Sequence, residues 1–564
     1  MKFKDFRYER PDMQAVEAKI NQLLAKFDSA DSFETQDKVM EEINTLRSEF
    51  ESMEQIVYIR HTIDTTDGEY EAERNFFDEN LPIYKGLMHK YYTSLANSAY
   101  RAQLEEKWGK QLFAIADLTL KTFSPEIIED LQTENKLISE YIKLVASAKI
   151  AFEGEERNLP GLVPFQLSTD RDMRKRANEA KYAFFKEHED KFDELYDALV
   201  KVRTKMALKL GYENFTELGY ARMLRTDYNP EMVANFRKQV EEFIVPTASK
   251  LRERQRVRLE LANLAYYDEG FTFLTGNATP KGDPAEIVDN GGQMYRELSP
   301  ETDEFFNYMV ENELMDLVTK PGKANGGYCT YIGDYKSPFI FSNFNGTAGD
   351  IDVLTHEAGH AFQVYCSRDY EIPEYTFPTL EACEIHSMSM EFFAWPWMNL
   401  FFQEDTAKYK FSHLSEGVLF IPYGVTVDEF QHFVYAHPDT TPQERKSAWR
   451  AIEKKYLPHR DYEDSQFLEN GSFWYQTGHI FKMPFYYIDY TLAQICALQF
   501  WQKSLAGRDT AWADYLRLCR AGGSRSFLQL VELANLVSPF ENGCVESVIG
   551  DIEGWLNQID DRGL

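Results

Sequence analysis

His356 and His360, four residues apart with Glu357 beside the first, constrain this chain more than any other feature. A helix brings two such imidazoles onto one face: at about 100° per residue they fall about 40° apart, while Leu354, Ala358, Ala361 and Tyr365 line a different side. The spacing therefore predicts a helix with one wall on the apolar core and the other on a cavity. Two imidazoles at i and i+4 enclosing a carboxylate form the HExxH pattern of a zinc site. A catalytic zinc takes three protein ligands and leaves a fourth position for water, so one ion and one more ligand are expected.

The place of that ligand names the subclass. HExxHxxGxxH would need Gly at 363 and His at 366, where this chain has Gln363 and Cys366, and is excluded. Downstream, residues 380–393 read as a second helix with Glu384 and Glu391 on one face, and a carboxylate ligand from a neighbouring helix fits; by spacing alone Glu381 or His386 would also serve. Zinc lowers the pKa of a bound water to about 7 and polarises a scissile carbonyl, which makes an amide attackable at neutral pH. Glu357, one position along the helix, is placed to take a proton from that water and pass it to the leaving amine. Asp352 and Glu391 are both placed to accept a hydrogen bond from a ligand imidazole. The negative charge that develops on the carbonyl oxygen calls for further donors, and the best candidates come late: His479 is followed by Tyr486, Tyr487 and Tyr490.

Composition narrows the context. With 564 residues, 43% hydrophobic and 15% aromatic, the chain can bury a large core in more than one lobe. A net charge of −31 argues against nucleic acid and against anionic membranes as partners. Residues 1–7 carry no apolar leader and no run of about 18 apolar residues occurs, so export and membrane insertion are not expected. Six cysteines without CxxC pairing (Cys329, Cys366, Cys383, Cys496, Cys519, Cys544) fit reduced core thiols and a cytoplasmic protein.

Apolar residues repeat at helical spacing from Met13 to Phe27 and, after the break at Asp31-Ser32, from Val39 to Val57. A short stretch around Gly154 could form a hairpin before a helix restarts at Ser168-Thr169-Asp170, which suggests a helical lobe over 1–165 and a catalytic region over 166–564. Residues 275–284, running on to Asp289-Asn290-Gly291-Gly292, read as a long loop. Strand character concentrates between Tyr328 and Phe344, giving a small sheet ahead of the zinc helix.

With these residues assembled, the sequence resembles the thimet oligopeptidase and oligoendopeptidase F family of zinc metallopeptidases over roughly residues 200 to 560. It is nearest to the shorter bacterial oligoendopeptidase F-like enzymes, the PZ-peptidases among them. The family's Glu-x-x-Ser-x-x-x-Glu pattern matches Glu384, Ser387 and Glu391, so the resemblance implies Glu384 as third ligand on a helix near 379–394, with the zinc helix near 350–366 and Glu381 as runner-up. The family's late His and paired Tyr, which bind substrate and stabilise the oxyanion, map onto His479, Tyr487 and Tyr490 in a segment near 470–500, with Tyr486 competing for Tyr487; the spacing differs slightly from the thimet branch. The resemblance implies a mainly α, two-lobed body with a deep substrate channel and a small sheet whose edge strand, here matched to Phe339–Phe341, pairs with a peptide backbone. It implies an endopeptidase for short oligopeptides. The alternatives are a dipeptidyl carboxypeptidase, which needs a cation for the substrate's C-terminal carboxylate, and a catalytically silent peptide-binding protein, against which the intact ligand set argues.

Overall fold

A computed structural model describes every residue of the chain except 321 and 325. Helices dominate from Met13–Asp28 to Cys544–Leu556, as expected. Local signals explain the first of them. Asp12 caps Met13–Asp28 by accepting the amides of Gln14 and Ala15, and Ser32 caps Phe33–Ile63 by accepting that of Thr35, so the Asp31-Ser32 break is a helix start. The periodic residues Ile20, Leu23, Leu24, Phe27, Val39, Ile43 and Val57 are buried together with residues of Gly68–Ala96 and Lys110–Leu120 in a core of their own. Ile372 and Tyr375, from the segment after the HExxH helix, complete it. The Tyr375 hydroxyl donates to the Trp108 carbonyl at 2.7 Å and accepts the Leu112 amide at 3.0 Å, tying this core to the rest.

The hairpin around Gly154 forms, pairing Ile150–Phe152 with Glu155–Arg157. The expected long loop is shorter than the sequence reading: Pro284–Leu298 is a helix, so Asp289-Asn290-Gly291-Gly292 lies inside it. A capping box between Asp283 and Glu286, with proline at the first helical position, starts that helix. Gly291 marks close packing, because a Cβ there would sit 3.2 Å from Phe306 and 3.5 Å from Leu354.

Ahead of the HExxH helix lies a three-stranded sheet in the order Met315–Val318, Ser337–Phe344, Tyr328–Ile332, the first pair parallel and the second antiparallel. Here one expectation is corrected. Ile340 pairs with Met315 on one side and Cys329 on the other, so Phe339–Phe341 belongs to the central strand and its backbone groups are spent. The edge beside the HExxH helix is Tyr328–Ile332. Its side chains lean on helix Phe33–Ile63, Tyr328 on Thr62 at 2.6 Å and Thr330 on Gln55 at 2.5 Å. No described helix is long and apolar enough to cross a membrane, and no described cysteine is in a disulfide.

Candidate active site

The central strand turns into helix Gly349–Ser367 through Asn345-Gly346, where the buried Asp350 carboxylate accepts both turn amides, at 2.9 and 2.7 Å. Leu354, Ala358 and Ala361 are fully buried on the core side, as the pattern predicts. Helix Leu380–Phe393 packs across the other side. The approach is close enough to need glycine: a Cβ on Gly359 would lie 2.7 Å from both the His386 carbonyl and the Ser387 Cα. The contact brings Glu384 beneath the two imidazoles.

Its Oε2 lies 3.3 Å from His356 Nε2 and 3.6 Å from His360 Nε2. His356, His360 and Glu384 are the one group of three or more His, Cys, Asp or Glu side chains with metal-holding geometry among the described residues, their donor atoms within 4.8 Å of one another. The donor set, two imidazole nitrogens and a carboxylate, suits one zinc ion. Burial would lift the Glu384 carboxyl, but His356, His360 and the Tyr486 hydroxyl outweigh it and hold it at about 2. Burial pushes His360 down to about 4, which keeps its ring neutral and its lone pair free. Of the spacing-permitted alternatives, Glu381 is fully buried, bonded by Thr379 at 3.0 Å and close to Arg225 and Asp489, while His386 is buried against Tyr515. Neither joins the group.

His356 Nδ1–H donates to Glu391 Oε1 at 2.7 Å. Asp352, the other candidate for that bond, instead accepts from Tyr409 at 2.6 Å. Glu391 is itself held: its Oε2 takes Nε2–H of His413 at 2.7 Å, and Trp395 Nε1–H donates to His413 Nδ1 at 3.2 Å. Sequence reasoning did not foresee His413 or Trp395, since neither stands at a spacing that marks it.

Glu357 is 8% exposed, and its Oε2 has no hydrogen-bond partner among the described residues. Burial lifts its carboxyl to about 7 against the opposing pull of His356. Gly327, just before the edge strand, leaves room beside it, since a Cβ there would sit 3.5 Å from Glu357 Oε1.

The late cluster assembles as expected. The His479 ring lies 5.6, 5.1 and 5.8 Å from those of Tyr486, Tyr487 and Tyr490. The tyrosines then divide. Tyr486 donates to Glu384 Oε1 at 2.9 Å, whereas His479, Tyr487 and Tyr490 line a cavity of about 370 Å³ with Asp352, Glu391 and His413. Burial lifts all three tyrosines, Tyr490 to about 12, and pushes His479 down to about 4, so the hydroxyls keep their protons and the imidazole is neutral. The turn feeding them is clamped. Phe485 has φ +69°, its amide donates to Gln431 at 2.5 Å, its carbonyl accepts from Arg225, and a Cβ on Gly219 would collide with its ring at 2.5 Å.

The chain is similar to known proteins along its length. Residues 3–123 match the Peptidase M3 N-terminal domain and residues 295–548 match Peptidase family M3. A solved structure of PZ peptidase A with an inhibitor is 66% identical, each chain covered in full, with a TM-score of 0.95. An oligoendopeptidase F structure from Bacillus anthracis is 59% identical over 100% of this chain and 99% of that one, with a TM-score of 0.91. The chromosomal oligoendopeptidase F of Lactococcus lactis subsp. cremoris is 23% identical over 403 residues, which span 70% of this chain and 64% of that relative's length. Two helices packed through a glycine around two histidines and a glutamate, and these matches, lead to one assignment: the chain belongs to peptidase family M3, a family of metallopeptidases.

Proposed function

We propose that the protein is a zinc-dependent endopeptidase that cuts internal bonds of short oligopeptides. The observation that carries this is the unpartnered Glu357 carboxylate beside the cluster of His356, His360 and Glu384. Those three would hold the ion, and zinc supplies Lewis acidity toward the scissile carbonyl and lowers the pKa of a water molecule to about 7. Glu357 takes a proton from the attacking water and hands it to the departing amine, a role that suits a carboxylate beside the ligand cluster whose Oε2 has no hydrogen-bond partner among the described residues. Tyr487, Tyr490 and His479, on the cavity wall, donate toward the carbonyl oxygen as it gains charge. Tyr486, which donates to Glu384 Oε1, serves by holding that carboxylate.

The strand edge at Tyr328–Ile332 is the place for an extended peptide backbone, and a cavity of about 710 Å³ between helix Phe33–Ile63 and Thr330, Tyr331 and Arg368 gives room along it. Backbone pairing tolerates many side chains. The same reading keeps 1–165 as a helical lobe beside a catalytic region 166–564 and, from the unpaired thiols, a cytoplasmic location.

An internally quenched peptide tests the reading. Turnover should stop when a chelator removes the metal and return with zinc. Glu357→Gln should lower kcat by roughly 10² to 10⁴ while leaving one zinc per chain, and fragment masses should show internal cuts. A metal-stripped protein that cuts at its normal rate would end the proposal.

A further inference from the structure

A second cavity, of about 300 Å³, lies between helix Val245–Arg258 and the middle of helix Thr406–Ala436. It shares Glu416 and Phe420 with the cavity that holds His479, Tyr487 and Tyr490, so the two adjoin. Three arginines line it, and two are committed. Arg460 grips Glu269 with two bonds, at 3.1 and 2.7 Å, and Arg258 is bound by Asp561 and the Thr272 carbonyl.

Arg252 is different. Its Nη1 is spent on Gln255 Oε1 and the Glu269 carbonyl, both at 2.8 Å, which fixes the guanidinium in place. Its Nη2 stands 3.6 Å from Glu269 Oε2, too far for a hydrogen bond, because Arg460 holds that carboxylate. Its Nε is buried with no partner among the described residues. Two hydroxyls on the facing helix, Ser412 and Ser415, are likewise buried without partners, Ser415 being 6% exposed. Glu269 balances part of the guanidinium's charge, but Nε and Nη2 of Arg252 and the two hydroxyls have no hydrogen-bond partner among the described residues, and leaving such donors unmatched is costly. A carboxylate entering the cavity would offer these donors acceptors, with the charge assistance and fork geometry that arginine provides. Glu416 lines both cavities with no hydrogen-bond partner among the described residues, and would accept the backbone N–H of the residue whose carboxylate lies deeper.

We infer that this cavity receives a carboxylate of the peptide substrate, from the C-terminus or from an acidic side chain, through Arg252, Ser412 and Ser415. The inference rests on the peptidase reading above and adds an anchor that favours peptides ending in or near this cavity. It also supplies the cation that a carboxypeptidase-like preference requires.

The test uses three quenched peptides of one sequence on the zinc-loaded protein: a free acid, its C-terminal amide, and an amide with Glu in the last position. The free acid, or the Glu-bearing amide if the side chain is the source, should exceed the plain amide in kcat/KM by about tenfold to a hundredfold. In Arg252→Gln that ratio should fall toward one, and Arg252→Lys should restore part of it. Because the readout is a ratio within one protein sample, a general loss of folded protein does not mimic it. Should Arg252→Gln fail to fold, Ser412→Ala with Ser415→Ala should narrow the ratio by a smaller factor. Equal rates for all three peptides in the unaltered protein, or an unchanged ratio in Arg252→Gln, overturn the inference while peptide cleavage itself stands. Cleavage of none of the three sinks the peptidase reading and this inference with it.

Discussion

Gly359, the fourth residue of the HExxH pentapeptide, shows how much one methyl group would change. Its absent side chain lets the two ligand-bearing helices meet, and a Cβ would press on backbone atoms at 2.7 Å that cannot swing aside. Gly359→Ala should therefore cost about 1–3 kcal/mol from overpacking, and should release zinc to a chelator faster than the unaltered protein does. Thermal unfolding and a competition titration would show both, and an alanine variant with normal zinc retention would mean the helices do not depend on this contact. Glu391 works at the same scale from farther out. It holds the ring of His356 and is held by His413, so Glu391→Gln should weaken zinc affinity about 10- to 100-fold without removing a ligand. A metal titration with a competing chelator measures this directly.

Between helices, the clamp on the turn before Tyr486 decides where the donors point. Phe485 sits in the left-handed region, which a bulky residue adopts only when its surroundings force it, and here Gln431, Arg225 and the bare face of Gly219 do so. Arg225 also pairs with Asp489 at 2.7 Å, both side chains fully buried. Removing the guanidinium leaves a buried carboxylate unpaired beside Glu381. Arg225→Met should thus destabilise the fold by about 3–5 kcal/mol in urea denaturation, and should lower kcat more than it raises KM because Tyr486 and its neighbours lose their setting. A variant with unaltered unfolding midpoint would show that the pair contributes nothing net.

At the scale of the whole molecule, Glu269 links the helix Val245–Arg258 to the segment around Arg460. Burial would raise its carboxyl above the ordinary 4.5, but Arg460 and Arg252 outweigh burial and hold it down at about 2. A depressed carboxylate contributes stability that is fully present above its unfolded value and is lost as pH falls from about 4.5 toward 2, here about 3 kcal/mol. Urea midpoints measured at pH 7, 4 and 2.5 should drop across that window. Glu269→Gln should be weaker at neutral pH with a shallower acid slope, and an equal slope in both proteins would assign acid lability elsewhere. The sequence by itself determined the elements and the ligand pair: HExxH needs a helix, apolar periodicity fixed which sides of the first helices are buried, and caps at Asp12 and Ser32 marked their starts, because these are short-range relations written in consecutive residues. By spacing it left Glu381, Glu384 and His386 equal. The tertiary structure decided what depends on packing between segments far apart in the chain. It brought Glu384, which the resemblance names and spacing alone does not, beside the imidazoles, made Phe339–Phe341 a central strand, gave His356 to Glu391 instead of Asp352, set the Tyr486 hydroxyl on Glu384, and left Arg252 with donors unspent, since no local pattern records which side chains meet across a helix interface.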